Sequence, residues 1–343
     1  MFLKGKNMTI EELEKDLRAG NLKNIYVLYG EEKFLLESNV KRIKKNFGEM
    51  VSGINYIQLD ENSVSSLISE LQTPAFGYPK KLIIVKNAKL FQKDTKSKKK
   101  DNESLKDKLC DNIKNMDENN ILVFIEEEVE KNELLKTIEK NNGIICEFEF
   151  QKPIQIEKRL IPICNAYKVN VASSTISYLI DVCGTNMQNL INETRKLIEY
   201  VGENGTIQNK DIDAMCIKTI DSNIFDLTDN LGKKNTKEAI KILEELLYSK
   251  EPIQKILITL YNHIKRIYVV KVSDSQKRNA TQDLNLKPNQ TFLVTKYRTQ
   301  SKYFTVGELK NILKQLVDLD FKFKTGEIDL TIGLESILCG FCS

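Results

Sequence analysis

Through its first 150 residues the chain alternates short apolar runs with longer stretches in which apolar positions recur every three or four residues. The runs lie at 25–29, 54–59, 82–85, 121–125 and 144–150, with amphipathic stretches such as 34–47 and 132–139 between them. Short apolar runs bounded by polar turns read as buried strands, and the longer period reads as helix. Five strands separated by helices predict a parallel sheet, because a parallel partner is reached only through a crossover. Such a sheet gathers its loops at the strands' carboxyl ends, where ligands sit, so the residues just after each strand are the ones to inspect.

From Pro153 onward the strand signals stop. Helical stretches at 156–166, 175–183 and 187–200 precede Gly202-Glu203-Asn204-Gly205, and 209–217 reads as one more short helix. A second helical block follows at 224–231, 239–248, 253–270, 290–297, 306–321 and 328–338. Pro252 is expected at the first helical position of one of these helices, and Pro288 is expected to open another. The predicted fold class is α/β plus all-α. A parallel-sheet domain spans 1–150, a small helical domain 151–218 and a larger helical domain 219–343.

The first strand, Ile25-Tyr26-Val27-Leu28-Tyr29, ends in Gly30-Glu31-Glu32-Lys33-Phe34-Leu35-Leu36. A nucleotide site at such a turn needs several glycines whose backbone N–H groups wrap the phosphates, and a Lys-Ser/Thr pair for charge and Mg²⁺. Here two glutamates face that spot. Carboxylates suit the positive end of a helix but repel a triphosphate, so the turn reads as a helix cap.

Composition narrows the functions further. Hydrophobic residues at 41% and charged residues at 29% of 343 are ordinary for a soluble protein, and no apolar run approaches the ~20 residues of a membrane span. Residues 1–10 do not read as a secretory signal, so a cytoplasmic location is expected. The 52 basic and 48 acidic residues balance too closely for a dedicated nucleic-acid binder, and any DNA contact must be local. The seven cysteines, at 110, 146, 164, 183, 216, 339 and 342, read as reduced thiols in apolar stretches. Cys339-Gly340-Phe341-Cys342 has CxxC spacing but no second pair, and reads as a frayed terminal helix. The single histidine, His263, lies in a helical pattern and reads as structural, which leaves histidine-dependent hydrolases without a base. The basic run Lys93-Asp94-Thr95-Lys96-Ser97-Lys98-Lys99-Lys100-Asp101 lacks aromatics for stacking bases and reads as a solvated, mobile loop.

A sheet domain, a small helical lid and a helical C-terminal domain is the build of AAA+ proteins. Four segments narrow the resemblance: Tyr26-Val27-Leu28-Tyr29-Gly30-Glu31-Glu32 with Phe34-Leu35-Leu36; Phe76-Gly77-Tyr78-Pro79-Lys80-Lys81-Leu82-Ile83-Ile84-Val85; Asn223-Ile224-Phe225-Asp226-Leu227; and Leu319-Asp320-Phe321-Lys322-Phe323-Lys324-Thr325-Gly326. Together they resemble the delta-subunit family of bacterial DNA polymerase III, which opens the sliding clamp within the clamp loader. The resemblance implies a subunit without catalysis, cofactor or metal of its own, inside a nucleotidyltransferase holoenzyme. An active AAA+ ATPase carries an acidic pair after its third strand, whereas Lys86-Asn87 stands there in this chain, and a lysine cannot ligate a cation. Glu126-Glu127-Glu128, after the fourth strand, reads as a solvated turn at a helix start.

The partners implied are the beta sliding clamp, the gamma/tau ATPases and delta prime in a hetero-oligomer joined by a C-terminal collar, and primed DNA within the complex, with no membrane. The segment matching the family's clamp-binding wedge is Leu71-Gln72-Thr73-Pro74-Ala75-Phe76, giving Leu71, Gln72, Pro74, Ala75 and Phe76 as candidate contacts. A greasy cleft rewards apolar anchors while an amide fixes orientation. Ala75 stands where a larger apolar residue is common, which places the burden on Phe76. Phe76 could instead pack beneath the turn, but Pro74, Gly77 and Pro79 punctuate a turn that presents the ring outward. Two other classes of function stay open: a divergent AAA+ nucleotide hydrolase and a stand-alone helical nucleic-acid-binding scaffold.

Overall fold

Six strands, one more than expected, make the sheet of the first half of the chain. The computed structural model describes residues 6–92, 99–249, 251–286 and 290–342, and divides into two units, Met1–Phe150 and Gln151–Ser343. In the first unit β1 (Lys6–Asn7), β2 (Ile25–Tyr29), β3 (Tyr56–Leu59), β4 (Lys81–Lys86), β5 (Asn120–Glu126) and β6 (Ile144–Glu147) lie in the order β1-β6-β2-β5-β4-β3. Every pairing is parallel. The helices are α1 (Ile10–Arg18), α2 (Lys33–Phe47), α3 (Leu67–Gln72), α4 (Lys99–Lys114) and α5 (Glu133–Lys140).

Val27 and Leu28 on β2, Ile83 and Ile84 on β4, and Val123 and Phe124 on β5 are wholly buried. Strands covered on both faces need continuous apolar runs, which is why these three were readable. The extra strand β1 pairs Lys6 with Ile144 and Asn7 with Ile145, and two polar residues leave no hydrophobic trace. The last run is shorter than expected: β6 stops at Glu147, and the Phe148 N–H donates to Tyr29 O at the end of β2 (2.6 Å). In the basic run, residues 99–101 belong to the first turn of α4 and are not loop, while 93–98 lie outside the described residues.

The second unit begins with α6 (Pro153–Ala166), α7 (Ser173–Cys183), α8 (Met187–Val201) and α9 (Asn209–Met215). It is not purely helical, as β7 (Asn170–Val171) pairs in parallel with β8 (Thr206–Ile207), and two-residue strands are too short to show a period. The helices α10 (Ile220–Gly232), α11 (Thr236–Tyr248), α12 (Ile253–Ser275), α13 (Ala280–Asp283), α14 (Phe292–Ser301), α15 (Val306–Lys324) and α16 (Leu330–Cys342) share one apolar core, in which Ile224, Leu243, Ile264, Leu309 and Leu334 are fully or almost fully buried. Pro252 sits one residue earlier than expected, as the N-cap of α12, and Pro288 lies outside the described residues. The terminal helix does not fray before the CxxC pair: α16 runs through Cys342, with Cys339 exposed.

His263 on α12 is structural. Its Nε2 lies 2.8 Å from Gln300 Oε1 on α14, while Gln300 Nε2 donates to Phe225 O on α10 (2.8 Å). The glutamine amide is thereby oriented, so its oxygen accepts and His263 Nε2 carries the proton. Burial lowers the imidazole pKa from 6.5 to about 4. The unfolded chain then takes up a proton near 6.5 and the folded chain only near 4, so stability is lost as pH falls through that window, by roughly 3 kcal/mol in all. Hydrogen-exchange protection of α12, corrected for intrinsic rates, is expected to decline from pH 6.5 to 4, and His263→Gln to flatten the decline. An unchanged slope in the variant would assign the pH dependence to other groups.

Candidate functional site

The turn between β2 and α2 is occupied by the chain's own backbone. Gly30, at the end of β2, has φ +126°, and a Cβ there would lie 2.5 Å from the carbonyl oxygen of Phe148. The Glu32 N–H donates to that oxygen (2.8 Å), so a backbone donor that would serve a phosphate already serves a peptide. Of the two glutamates expected to face the spot, only Glu31 is exposed; Glu32, the N-cap residue of α2, is buried at 4% exposure. Lys33 Nζ instead reaches Glu127 Oε1 beyond β5 (2.9 Å).

The Glu126-Glu127-Glu128 run is not the solvated turn at a helix start that its charge suggests. Glu127 and Glu128 are exposed, but Glu126 is the last residue of β5, buried at 3%, and accepts from the Lys89 N–H (3.1 Å to Oε1). Burial raises its carboxyl pKa to about 7. The run does not start a helix either, since α5 begins at Glu133 behind an Asn132 cap. Lys86, closing β4, is exposed, and Asn87 follows with φ +50°.

The wedge segment has a different character. After α3 ends at Gln72, the Tyr78 N–H donates to Ala75 O (3.3 Å), and Gly77 has φ +77°. A positive φ at the third position of a four-residue turn is the type II signature, with Phe76 at its second position. The Phe76 ring is 91% exposed. Tyr248, at the end of α11, is equally open, but Phe76 differs in standing at the tip of an ordered turn.

The stem below the ring is pinned. Lys81, the first residue of β4, has a side chain only 3% exposed, and its ammonium donates to Glu70 O (2.7 Å), Glu70 Oε2 (2.6 Å) and Thr73 O (3.1 Å). Three acceptors around one buried ammonium close the carboxyl end of α3, where carbonyls lack helical partners. From β5, Asn120 Nδ2 donates to Leu71 O (2.9 Å). The structure thus fixes where the turn leaves the sheet and leaves its tip in solvent.

The five candidate contacts separate. Phe76, Pro74 and Gln72 are exposed and Ala75 is half-buried beside them. Gln72 Nε2 donates to Asn112 Oδ1 on α4 (2.9 Å), which orients its amide. Leu71 does not belong to the exposed set: it is 7% exposed and packs into the apolar core under the sheet, because α3 turns that face inward. Lys81 and Asn120 were missed, since a polar residue at the start of an apolar run looks like a solvated flank.

Known proteins agree with this architecture. Residues 26–149 match the family described as DNA polymerase III, delta subunit, and residues 221–341 match the delta subunit's C-terminal domain. The DNA polymerase III subunit delta of Bacillus subtilis is 23% identical over 331 residues, covering 94% of each chain. A probable DNA polymerase III subunit delta of Aquifex aeolicus is 25% identical over 306 residues, covering 86% of this chain and 85% of that one. The solved structure of the Bacillus subtilis DNA clamp loader delta protein superposes with a TM-score of 0.71 at 22% identity, covering 97% of this chain and 99% of that one. The fold is therefore one already seen in a delta protein. The chain belongs to the DNA polymerase III delta-subunit family. No helix among the described residues is long and apolar enough to cross a membrane.

Proposed function

We propose that this chain is the clamp-opening subunit of a bacterial clamp loader. It binds the beta sliding clamp through the turn that carries Phe76, destabilises one interface of the ring and hands the open ring to primed DNA. The observation that carries this reading is the 91% exposed ring of Phe76 on an anchored turn. The turn's backbone is already fixed, so docking costs little backbone order and more of the ring's burial energy is available to strain a partner. Residues 1–150 carry the clamp contact, 151–218 form the lid and 219–343 form the collar that joins the gamma/tau ATPases and delta prime, in the cytoplasm. Exposed apolar residues such as Val317 and Phe321 on α15 suit that collar role.

ATP turnover belongs to the neighbouring subunits in this reading. Gly30 is committed to Phe148, Glu32 to a buried N-cap, and Lys86 stands where a metal-binding acid is needed. The expected result is that the full chain co-elutes from a sizing column with the same organism's clamp in the absence of nucleotide. Calorimetry with Mg-ATP should show no saturable binding tighter than about millimolar, roughly 4 kcal/mol. Clamp binding that requires ATP on the isolated chain would favour the divergent hydrolase instead.

A further inference from the structure

The second unit brings together side chains that the clamp reading does not use. Cys183 ends α7, Glu193 lies in the middle of α8, and Cys216 is the C-cap of α9, its N–H donating to Ile212 O (2.9 Å). Three different helices thus contribute two sulfurs and a carboxylate oxygen that all lie within 4.8 Å of one another. Tetrahedral zinc sites with sulfur ligands at about 2.3 Å place those sulfurs about 3.8 Å apart. Small side-chain rotations close the difference. Cys183 is buried, while Glu193 and Cys216 are half-buried, which leaves an ion a way in.

We propose that Cys183, Cys216 and Glu193 form a binding site for a thiophilic divalent cation of the zinc class, with water in the fourth position. Thiolate ligands select such ions over magnesium or calcium, and loading releases the two thiol protons to solvent. Lys196, one turn further along α8, completes the charge balance: its ammonium lies 2.6 Å from Glu193 Oε2. Two thiolates and one carboxylate carry three negative charges, matched by a dication and this ammonium. Lys196 is then an outer partner that holds the carboxylate in place while its second oxygen meets the ion. The site sits where the chain leaves α9 for α10, and there the Thr219 N–H also donates to Val182 O at the end of α7 (3.0 Å). A bound ion would tie α7, α8 and α9 together at that junction.

The test is a Co²⁺ titration of the full, reduced chain after chelator treatment. One equivalent is expected to produce thiolate-to-cobalt charge-transfer absorption with tetrahedral d–d bands, which Zn²⁺ then bleaches. Cys216→Ser is expected to weaken binding by more than about a hundredfold and Lys196→Met by about tenfold. Cys339→Ser is expected to change nothing, which separates this site from the CxxC pair in α16. A melting scan accompanies each variant; if Cys216→Ser does not fold, Glu193→Gln, which keeps both sulfurs, carries the test through its weaker affinity. Absence of a thiolate band at one equivalent of Co²⁺, or a band that survives Cys216→Ser and is lost in Cys339→Ser, overturns the proposal.

Discussion

Phe76→Ala is expected to weaken binding to the beta sliding clamp about thirtyfold or more and to leave the melting temperature unchanged. Removing an aromatic hot spot costs about 2 kcal/mol or more, and each tenfold in affinity is about 1.4 kcal/mol. The ring is 91% exposed in the free chain, so its loss removes almost no core. A core phenylalanine truncated to alanine would instead cost about 3 to 5 kcal/mol of stability. Leu71, five residues earlier and inside α3, supplies the contrast: it is 7% exposed in the core, so its truncation acts on folding and not directly on the clamp. Affinity and melting should be measured on the same preparations. Intact affinity in Phe76→Ala would place the wedge elsewhere, and a melted Phe76→Ala would make the ring part of the core in solution.

The turn shows which parts of the site were legible in the chain. Pro74, Gly77 and Pro79 announce a turn, and Gly77 indeed takes φ +77°, so the outward ring could be argued from local chemistry alone. Leu71 could not be separated from Phe76 in this way. Both are apolar, and the six-residue helix α3 is too short for its period to say which face is inward. Lys81 was illegible for a stronger reason, because its partners Glu70 and Thr73 define a pocket only after β4 has docked against α3. The same holds for Asn120, which is 49 residues from Leu71 in sequence.

The sheet divides along the same line. The order β6-β2-β5-β4-β3 rests on strands with a run of buried apolar residues, interrupted only at Gln58 in β3, and β2 was readable to the residue. The two-residue strands β1, β7 and β8 owe their existence to the register of a neighbour, and no window of sequence contains that information. Glu126 belongs with them. A glutamate closing an apolar run reads as the first solvated residue, whereas the backbone N–H of Lys89, itself at φ +59°, draws it inside. Its carboxyl pKa, raised to about 7, means that the folded chain holds a proton which the unfolded chain releases near 4.5. Its contribution therefore improves as pH falls from 7 to 4.5, opposite in sign to that of His263 in the other unit.

Gly30→Ala is expected to be the most damaging single methyl group in the first unit, costing about 3 to 5 kcal/mol. Two terms add. A non-glycine residue forced into a sparsely populated backbone region costs about 1 to 3 kcal/mol. The new Cβ would also lie 2.5, 2.8 and 2.9 Å from the O, C and N of Phe148, all backbone atoms that cannot rotate away. Moving them breaks the hydrogen bonds Phe148 N–H to Tyr29 O and Glu32 N–H to Phe148 O, worth about 1 kcal/mol each. Gly77 is the control, for its φ is also positive but nothing lies within 4 Å of the Cβ position, so Gly77→Ala should cost only the backbone term, about 1 to 2 kcal/mol. Hydrogen exchange locates the damage: protection should fall across β2 and β5 in Gly30→Ala while α12, in the other unit, keeps its own. If Gly30→Ala is as stable as Gly77→Ala, Phe148 is not seated on the turn in solution. The space beside α2 would then be open to an anion, and the case against a nucleotide there would rest on Lys86 and the missing Lys-Ser/Thr pair alone.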